Sequence, residues 1–293
     1  MLKLALMVSV CFVTFTRNSG CWLRGGLLDN VVDIVDEVVV VDGYSSDDTV
    51  EIAKSYGARV FQRKPRGGYV EPDRMFAIRQ CNNDWVLYLD TDERLNTRLR
   101  RDLKEIIDKA IKNNYSAVMI NRYNYHIKSG NFIFDAGFPD PQIRIFNKYR
   151  VEYKGIIHEF PKVHGRIMKL APEYAIIHLV NDLTPLNKKD VIYAYVERLD
   201  HTYKRSRLYS AFTHLKPFTI LSAWVILYGY FTVRQLMARK PVNIVGLMNN
   251  LRVALYKHLA LLLIVTRGRK LDRIANAINE HGLIKLLEHS EIT

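Results

Sequence analysis

Asp90-Thr91-Asp92 closes a short apolar run, Trp85-Val86-Leu87-Tyr88-Leu89. Two carboxylates at i and i+2 after a buried strand face one point if the chain turns there. Hard divalent ions such as Mg²⁺ take oxygen ligands and are commonly completed by substrate phosphates. A cation held there neutralises the charge that develops on a diphosphate leaving group. Alone such a pair is weak, because surface acidic pairs outnumber metal sites. A second stretch, Asp42-Gly43-Tyr44-Ser45-Ser46-Asp47-Asp48-Thr49, follows the apolar run from Glu37 to Val41. Gly43 permits a tight turn, and Asp42 can accept hydrogen bonds from a base or ribose. A turn plus a helix cap accounts for part of this stretch.

Carboxylates so far apart in sequence need a frame that brings them together. Short apolar runs predict buried strands over Leu4–Val13, Glu37–Val41, Arg59–Phe61, Trp85–Leu89 and Ala117–Ile120. A signal-peptide core is the alternative for the first run, but no small-residue cleavage site follows it cleanly. Helices are predicted over Ser46–Tyr56, Asp73–Gln80 and Thr97–Asn113. The last carries Leu99, Leu103, Ile106, Ile107 and Ala110 on one stripe. That βαβαβαβ order predicts an α/β fold with a doubly wound, mostly parallel sheet. Ligands of such sheets sit beyond the carboxyl ends of the strands, where Asp42, Asp90 and Asp92 fall. Residues 122–178 are dense in aromatics, glycines and prolines, with short strands over Ile143–Phe146 and Tyr174–Ile177. They predict hairpins and loops folded over the sheet edge, a place to hold an acceptor.

The chain has 293 residues, 48% hydrophobic and 25% charged, which supports a packed core and argues against disorder. Its net charge of +13 points to anionic partners. The stretch from Lys204 to Lys270 is rich in Lys and Arg and poor in acids, whereas the Asp-rich stretches lie in the first 110 residues. Lys188–Tyr209 reads as a charged helix. Phe218–Val233 is uncharged over 16 residues, short of the roughly 20 that cross a bilayer. Arg205, Arg207, Lys216, Arg234, Arg239 and Lys240 flank it, and Asn243–Val265 forms a further apolar helix. Helices lying on an anionic membrane fit this pattern; core helices packed on the first domain are the plainer alternative. Nucleic-acid binding would interleave basic and aromatic residues on one face, and is not expected. Three cysteines, Cys11, Cys21 and Cys81, have no metal-like spacing, and their odd count suggests inert thiols in a reducing compartment. His126, His164, His178 and His201 match no metal spacing and read as satisfied loop or core histidines.

Taken in order, VSVCFVTFTRNSG, DEVVVVDGYSSDDTVEIAKSYGARV, PDRMFAIRQCNNDWVLYLDTDERL and QIRIFNKYRVEYKGIIHE resemble the motifs of family 2 glycosyltransferases. They look most like the branch that includes lipopolysaccharide-core glucosyltransferases. The resemblance covers roughly residues 5 to 180, and the helical tail more loosely. It implies a GT-A fold, Rossmann-like, with a helical C-terminal extension. Residues 1–121 would form the donor site, 122–180 the acceptor and catalytic region, and 181–293 the membrane-seeking tail. By that resemblance Thr16 and Asn18 touch the nucleotide, Asp42 reads the base, and Arg74 approaches base and phosphates. Asp90 and Asp92 match the metal-binding pair, with Asp92 the direct ligand of Mg²⁺ or Mn²⁺. Glu159 falls at the catalytic carboxylate of inverting members, and His158 helps hold metal or diphosphate. Asp140 is the second candidate for that carboxylate. Phe15-Thr16-Arg17-Asn18 departs from the usual Pro-Thr-Tyr-Asn, Gly20–Gly26 is an atypical insertion, and Gly43 replaces a common second acid. The base therefore stays open between UDP and GDP.

The expectation is inverting transfer of a sugar from a nucleotide-diphosphate donor to a lipid-linked or cell-envelope glycan, at the cytoplasmic face of the membrane. A polyprenyl-phosphate sugar synthase is the alternative within the class. Outside it stand a non-catalytic nucleotide-sugar-binding protein and a sugar-phosphate nucleotidyltransferase. The latter needs a Gly-rich basic loop after the first strand, of which Thr16–Gly20 is a poor version.

Overall fold

Seven consecutive buried residues, Val10–Thr16, form β1 in the computed structural model. The model describes residues 8–64, 70–155, 159–184 and 217–265, with side chains over 226–257 in the last segment. Successive β1 side chains leave opposite faces, so Val10 and Phe12 enter one apolar cluster and Cys11, Val13 and Phe15 another. β2 (Glu37–Asp42) repeats this, with Val38 and Val40 on the first face and Val39 and Val41 on the second. β3 (Arg59–Gln62) and β4 (Trp85–Tyr88) complete a parallel set in the order β3-β2-β1-β4. β1 starts later than the predicted Leu4 and runs three residues past Val13; residues 1–7 lie outside the described set.

Helices cover both faces of this set. α1 (Thr49–Ser55) gives Ile52 and Ala53 to the first cluster, and α2 (Arg74–Arg79) gives Ala77 and Ile78 to the second. α3 (Thr97–Lys112) lays its predicted stripe, Leu99 to Ala110, on the first. Asn96 caps it, accepting from the Leu99 amide at 2.9 Å and so satisfying one of the orphan first-turn donors. The doubly wound α/β expectation therefore describes this half of the sheet.

The other half corrects the sequence reading. Beyond β4 the order continues through β8 (Asp140–Asn147), β6 (Tyr115–His126), β12 (Ala175–Val180) and β5 (Glu93–Leu95). β8 is antiparallel to both β4 and β6. Residues expected over the sheet edge thus thread its interior, because Ile143, Ile145 and Phe146 need burial on both faces. β11 (Arg166–Lys169) runs parallel to β6, and β9 (Val151–Glu152) pairs with β10 (Lys162–Val163). Cys11 and Cys81 are joined by a disulfide, which overturns the reading of three inert thiols; Cys21 is exposed. The sequence separation of 70 hides that β1 and the turn after α2 are neighbours.

The described residues fall into two compact units, one from 8–64, 70–124 and 139–179, the other from 125–138, 180–184 and 217–265. In the second unit, β7 (Asn131–Phe132) pairs with the end of β6, and α4 (Pro217–Met237) packs with α5 (Ile244–Val265). Both were expected as apolar helices; the predicted Lys188–Tyr209 helix lies outside the described residues. No helix among the described residues is long and apolar enough to cross a membrane.

Candidate active site

The carboxyl ends of β1, β2 and β4 bring together the acids that the sequence singled out, all within the first unit. Asp42 is fully buried at the end of β2. Its Oδ2 accepts from the Ser45 amide at 2.9 Å, and its Oδ1 from the Ser45 hydroxyl at 2.5 Å. Thr16 Oγ1 reaches the same Oδ1 at 3.4 Å. The Asn18 amide donates to Ser45 Oγ at 2.8 Å, and Asn18 Oδ1 accepts from the Ser46 amide at 2.8 Å. Thr16, Asn18 and Asp42 therefore fix one loop pair at the sheet end. Tyr44 stands out from that loop at φ 60° and is 59% exposed. Left-handed backbone at a bulky residue is costly and is held here by the hydrogen bonds on either side.

Beyond β4 a charged network assembles that the sequence did not reveal. Arg144, on β8, is buried and donates through Nη2 to Asp90 Oδ2 at 2.6 Å and Glu93 Oε1 at 2.7 Å. Glu93 is fully buried, and its Oε2 accepts from the Asp90 amide at 3.0 Å. Arg122, on β6, donates to Glu93 Oε1 at 2.9 Å and to Asp140 Oδ2 at 3.0 Å. Gln142 Nε2 holds the other Asp140 oxygen at 2.8 Å. Burial disfavours the charge on Arg144, but Asp90 and Glu93 more than offset it and hold its guanidinium firmly protonated.

Arg74 joins this network from α2. Its guanidinium lies 5.2 Å from the Tyr88 ring and 5.0 Å from the Tyr153 ring. Burial opposes its charge, yet Tyr88, Asp90 and Tyr153 raise its pKa above the ordinary value. Burial likewise pushes both phenols up. Arg74 Nε and Arg144 Nε have no hydrogen-bond partner among the described residues. A buried guanidinium N–H left without a partner is costly, and an anionic ligand would satisfy it.

Asp92 lies on the turn after β4. Its Oδ2 is 3.4 Å from Nε2 of His178, which the sequence predicts as a satisfied loop or core histidine. His178 Nδ1 is 2.8 Å from Asn124 Oδ1. An amide oxygen only accepts, so Nδ1 donates to Asn124 and the Nε2 edge of the ring faces Asp92. The donor set suits a divalent ion that keeps most of its ligands as phosphate and water oxygens. No group of three His, Cys, Asp or Glu among the described residues forms a ready-made cage. His158, predicted to help hold metal, lies outside the described residues, as does His201.

The two candidate bases sit differently. Asp140 opens β8 within the Arg122 and Glu93 network. Glu159 accepts from the Lys154 amide at 2.9 Å and the Gly155 amide at 2.7 Å, which ties down the loop that follows β9. Gly155 has φ +87°, and a Cβ there would come within 2.9 Å of the Pro72 backbone. The atypical insertion reaches the turn after β4 through Arg94, which donates to the Trp22 and Thr91 carbonyls at 2.8 and 2.7 Å.

The sequence profile of glycosyl transferase family 2 matches residues 11–174. An uncharacterized glycosyltransferase of Rickettsia prowazekii is 44% identical over 114 residues, 39% of this chain and 38% of that protein. A lipopolysaccharide core biosynthesis glycosyltransferase of Rhizobium meliloti is 37% identical over 75 residues, 24% of this chain and 27% of that one. Among solved structures, residues 1–349 of TarS from Staphylococcus aureus in complex with UDP are similar at 17% identity and a TM-score of 0.45, over 90% of this chain and 92% of that one. The matches span between 31% and 41% of the Rickettsia relatives' length.

Proposed function

The chain belongs to glycosyl transferase family 2, and from that premise we propose that it transfers a sugar, with inversion, from a UDP- or GDP-linked donor to a lipid-linked or cell-envelope glycan. One observation carries the reading: Arg74, Asp90, Asp92, Asp140 and Arg144 gather beyond the end of β4, where doubly wound sheets bind ligands. The envelope acceptor is supported by the name of the Rhizobium relative, which assigns that protein to lipopolysaccharide core biosynthesis. The basic, apolar tail supports peripheral attachment at the cytoplasmic face of the membrane.

Thr16, Asn18 and Asp42 hold the nucleoside, and Tyr44 offers it an aromatic face. Arg74 and Arg144 present buried cationic edges toward the diphosphate. Asp140 takes the proton of the acceptor hydroxyl as that oxygen attacks the anomeric carbon. The bond from that carbon to the diphosphate oxygen breaks, and the nucleoside diphosphate leaves with the bonding pair. We rank Asp140 before Glu159 because it shares the Arg122 and Glu93 network with Asp90; the oxygens of both carboxylates accept hydrogen bonds, those of Asp140 from Arg122 and Gln142 and those of Glu159 from loop amides. A bound Mg²⁺ or Mn²⁺, held by Asp92 with His178, would neutralise the leaving diphosphate.

The test is calorimetric titration of UDP- and GDP-sugars into the full chain, with and without Mn²⁺, beside Asp92→Ala. Metal-dependent binding that is lost in the variant is expected, and it names the base. A well-folded protein that binds neither nucleotide sugar under either condition overturns the proposal.

A further inference from the structure

The α4–α5 hairpin buries polar side chains and exposes apolar ones to an unusual degree. A helix pair in water buries its apolar stripe and exposes its polar one. Here the buried residues include Gln235, Asn249 and Asn250 beside Val245, Ala254 and Tyr256. Gln235 Nε2 donates to the Phe134 and Pro241 carbonyls, and its Oε1 accepts from Asn250 at 3.1 Å. Asn250 Oδ1 accepts from the Ala136 amide at 2.9 Å, and Asn249 donates to Asp135 Oδ2 at 2.6 Å. Asn243 donates to the Phe132 carbonyl at 2.6 Å. The polar side chains thus bolt both helices to the 132–136 segment of their own unit.

Among the described residues, the hairpin also exposes large apolar side chains. Ile226, Tyr230, Val233 and Met237 recur at intervals of four, three and four, which places them on one stripe of α4. Ile244 and Met248 do the same on α5. All six are between 52% and 80% exposed. Scattered exposed apolar residues are ordinary, but two aligned stripes on neighbouring helices mark a contact surface. Residues 217–265 hold five Lys or Arg and no Asp or Glu. Such a face repels a second copy of itself and attracts anions. Since neither helix is suited to crossing a bilayer, the surface that fits is the plane of an anionic membrane.

We infer that the Ile226, Tyr230, Val233, Met237, Ile244 and Met248 face beds in the headgroup region of an anionic bilayer, with α4 and α5 lying in its plane. This rests on the membrane attachment proposed above and gives it a face and an orientation. Arg234, Arg239 and Lys240, at the junction of the helices, then reach the lipid phosphates.

Flotation of the full chain with phosphatidylcholine vesicles, with and without about 30% phosphatidylglycerol, tests it. Binding is expected with the anionic vesicles and should weaken in high salt. Val233→Asp combined with Met237→Asp should cut that binding at least about tenfold. Arg239→Glu with Lys240→Glu should abolish the preference for anionic lipid. Nucleotide-sugar titration of the same preparations, expected to be unchanged, separates misfolding from lost docking. Equal vesicle binding by the aspartate variant overturns the inference. So does a wild-type chain that binds nucleotide sugar but no vesicle, or a dimer in light scattering that the aspartates disrupt. Vesicle binding that persists in protein with no nucleotide-sugar affinity supports the docking face and counts against the transferase reading instead.

Discussion

A single terminal nitrogen of Arg144 lies 2.6 Å from Asp90 and 2.7 Å from Glu93, and so couples an exposed-edge carboxylate to a fully buried one. The Glu93 oxygen it touches also accepts from Arg122, which continues to Asp140. Arg144 is thereby a positioning residue for both ends of the site. Arg144→Gln leaves buried Glu93 with Arg122 as its remaining guanidinium partner, so it should cost less than the roughly 3–5 kcal/mol of a buried ion pair left with an uncompensated charge. Denaturant unfolding should show that loss, and kcat should fall about 100-fold as Asp90 moves. Arg144→Lys should recover stability more than turnover. A glutamine variant with wild-type stability and turnover would remove Arg144 from the site.

His178→Ala should weaken the Mn²⁺ dependence of donor binding by about 10- to 100-fold, with a smaller effect for Asn124→Ala, which frees the imidazole tautomer. Calorimetry at several Mn²⁺ concentrations reads both. Unchanged metal dependence in His178→Ala would exclude that imidazole as a ligand.

Asp140→Asn should lower kcat by about 10²- to 10⁴-fold and leave donor affinity nearly intact. Glu159→Gln, which loosens the Lys154 and Gly155 amides, should cost more in melting temperature than in turnover. The opposite ranking in steady-state kinetics would make Glu159 the base.

Asp47 gives a pH signature. The Thr49 hydroxyl beside it, with the Gly20 and Thr49 amides, holds its carboxyl below the ordinary 3.8 against the opposing effect of burial. The unfolded chain then binds more protons in acid, so this stabilisation is present above about pH 4 and fades as pH falls through the folded pKa. The melting-temperature gap between wild type and Asp47→Asn should be widest near neutrality and close in acid. A gap that grows in acid would contradict the sign.

Reducing the Cys11–Cys81 disulfide, or replacing it by Cys81→Ala, should cost about 2–4 kcal/mol in denaturant unfolding, because it closes a long loop. Identical unfolding curves with and without reductant would mean that this bond contributes nothing.

The parallel half of the sheet was legible because local rules dictate it. Val38 to Val41 form a β-branched run that only a strand covered on both faces buries, and the Leu99 to Ala110 stripe has helical period. Strand ends then located Asp42, Asp90 and Asp92. The antiparallel half rests on long-range pairing that no local period encodes. Arg144 sits among Ile143, Ile145 and Phe146, and a cation inside such an apolar run was the available hint of a buried ion pair. His178 carried no hint: it meets Asp92 only because β5 and β12 pair in the register Glu93 with His178. The cysteines misled because their odd count spoke to chemistry in general and not to which strands adjoin.

The insertion of β8 between β4 and β6 sets an order of assembly. Pairing of Leu87 with Ile145 and of Glu93 with His178 closes chain segments far longer than the β1–β2 and β2–β3 crossovers do. Loop-closure entropy delays such contacts until the nearer ones have formed. The β1–β2–β3 part can therefore collapse first, while Asp90, Asp140, Arg144 and His178 meet only when β4, which pairs Val10 with Trp85, and the strands beyond it zip in. The site of this chain is thus assembled late in folding, and amide protons of the outer strands β3 and β5 should exchange ahead of those of the central β8 when the protein breathes.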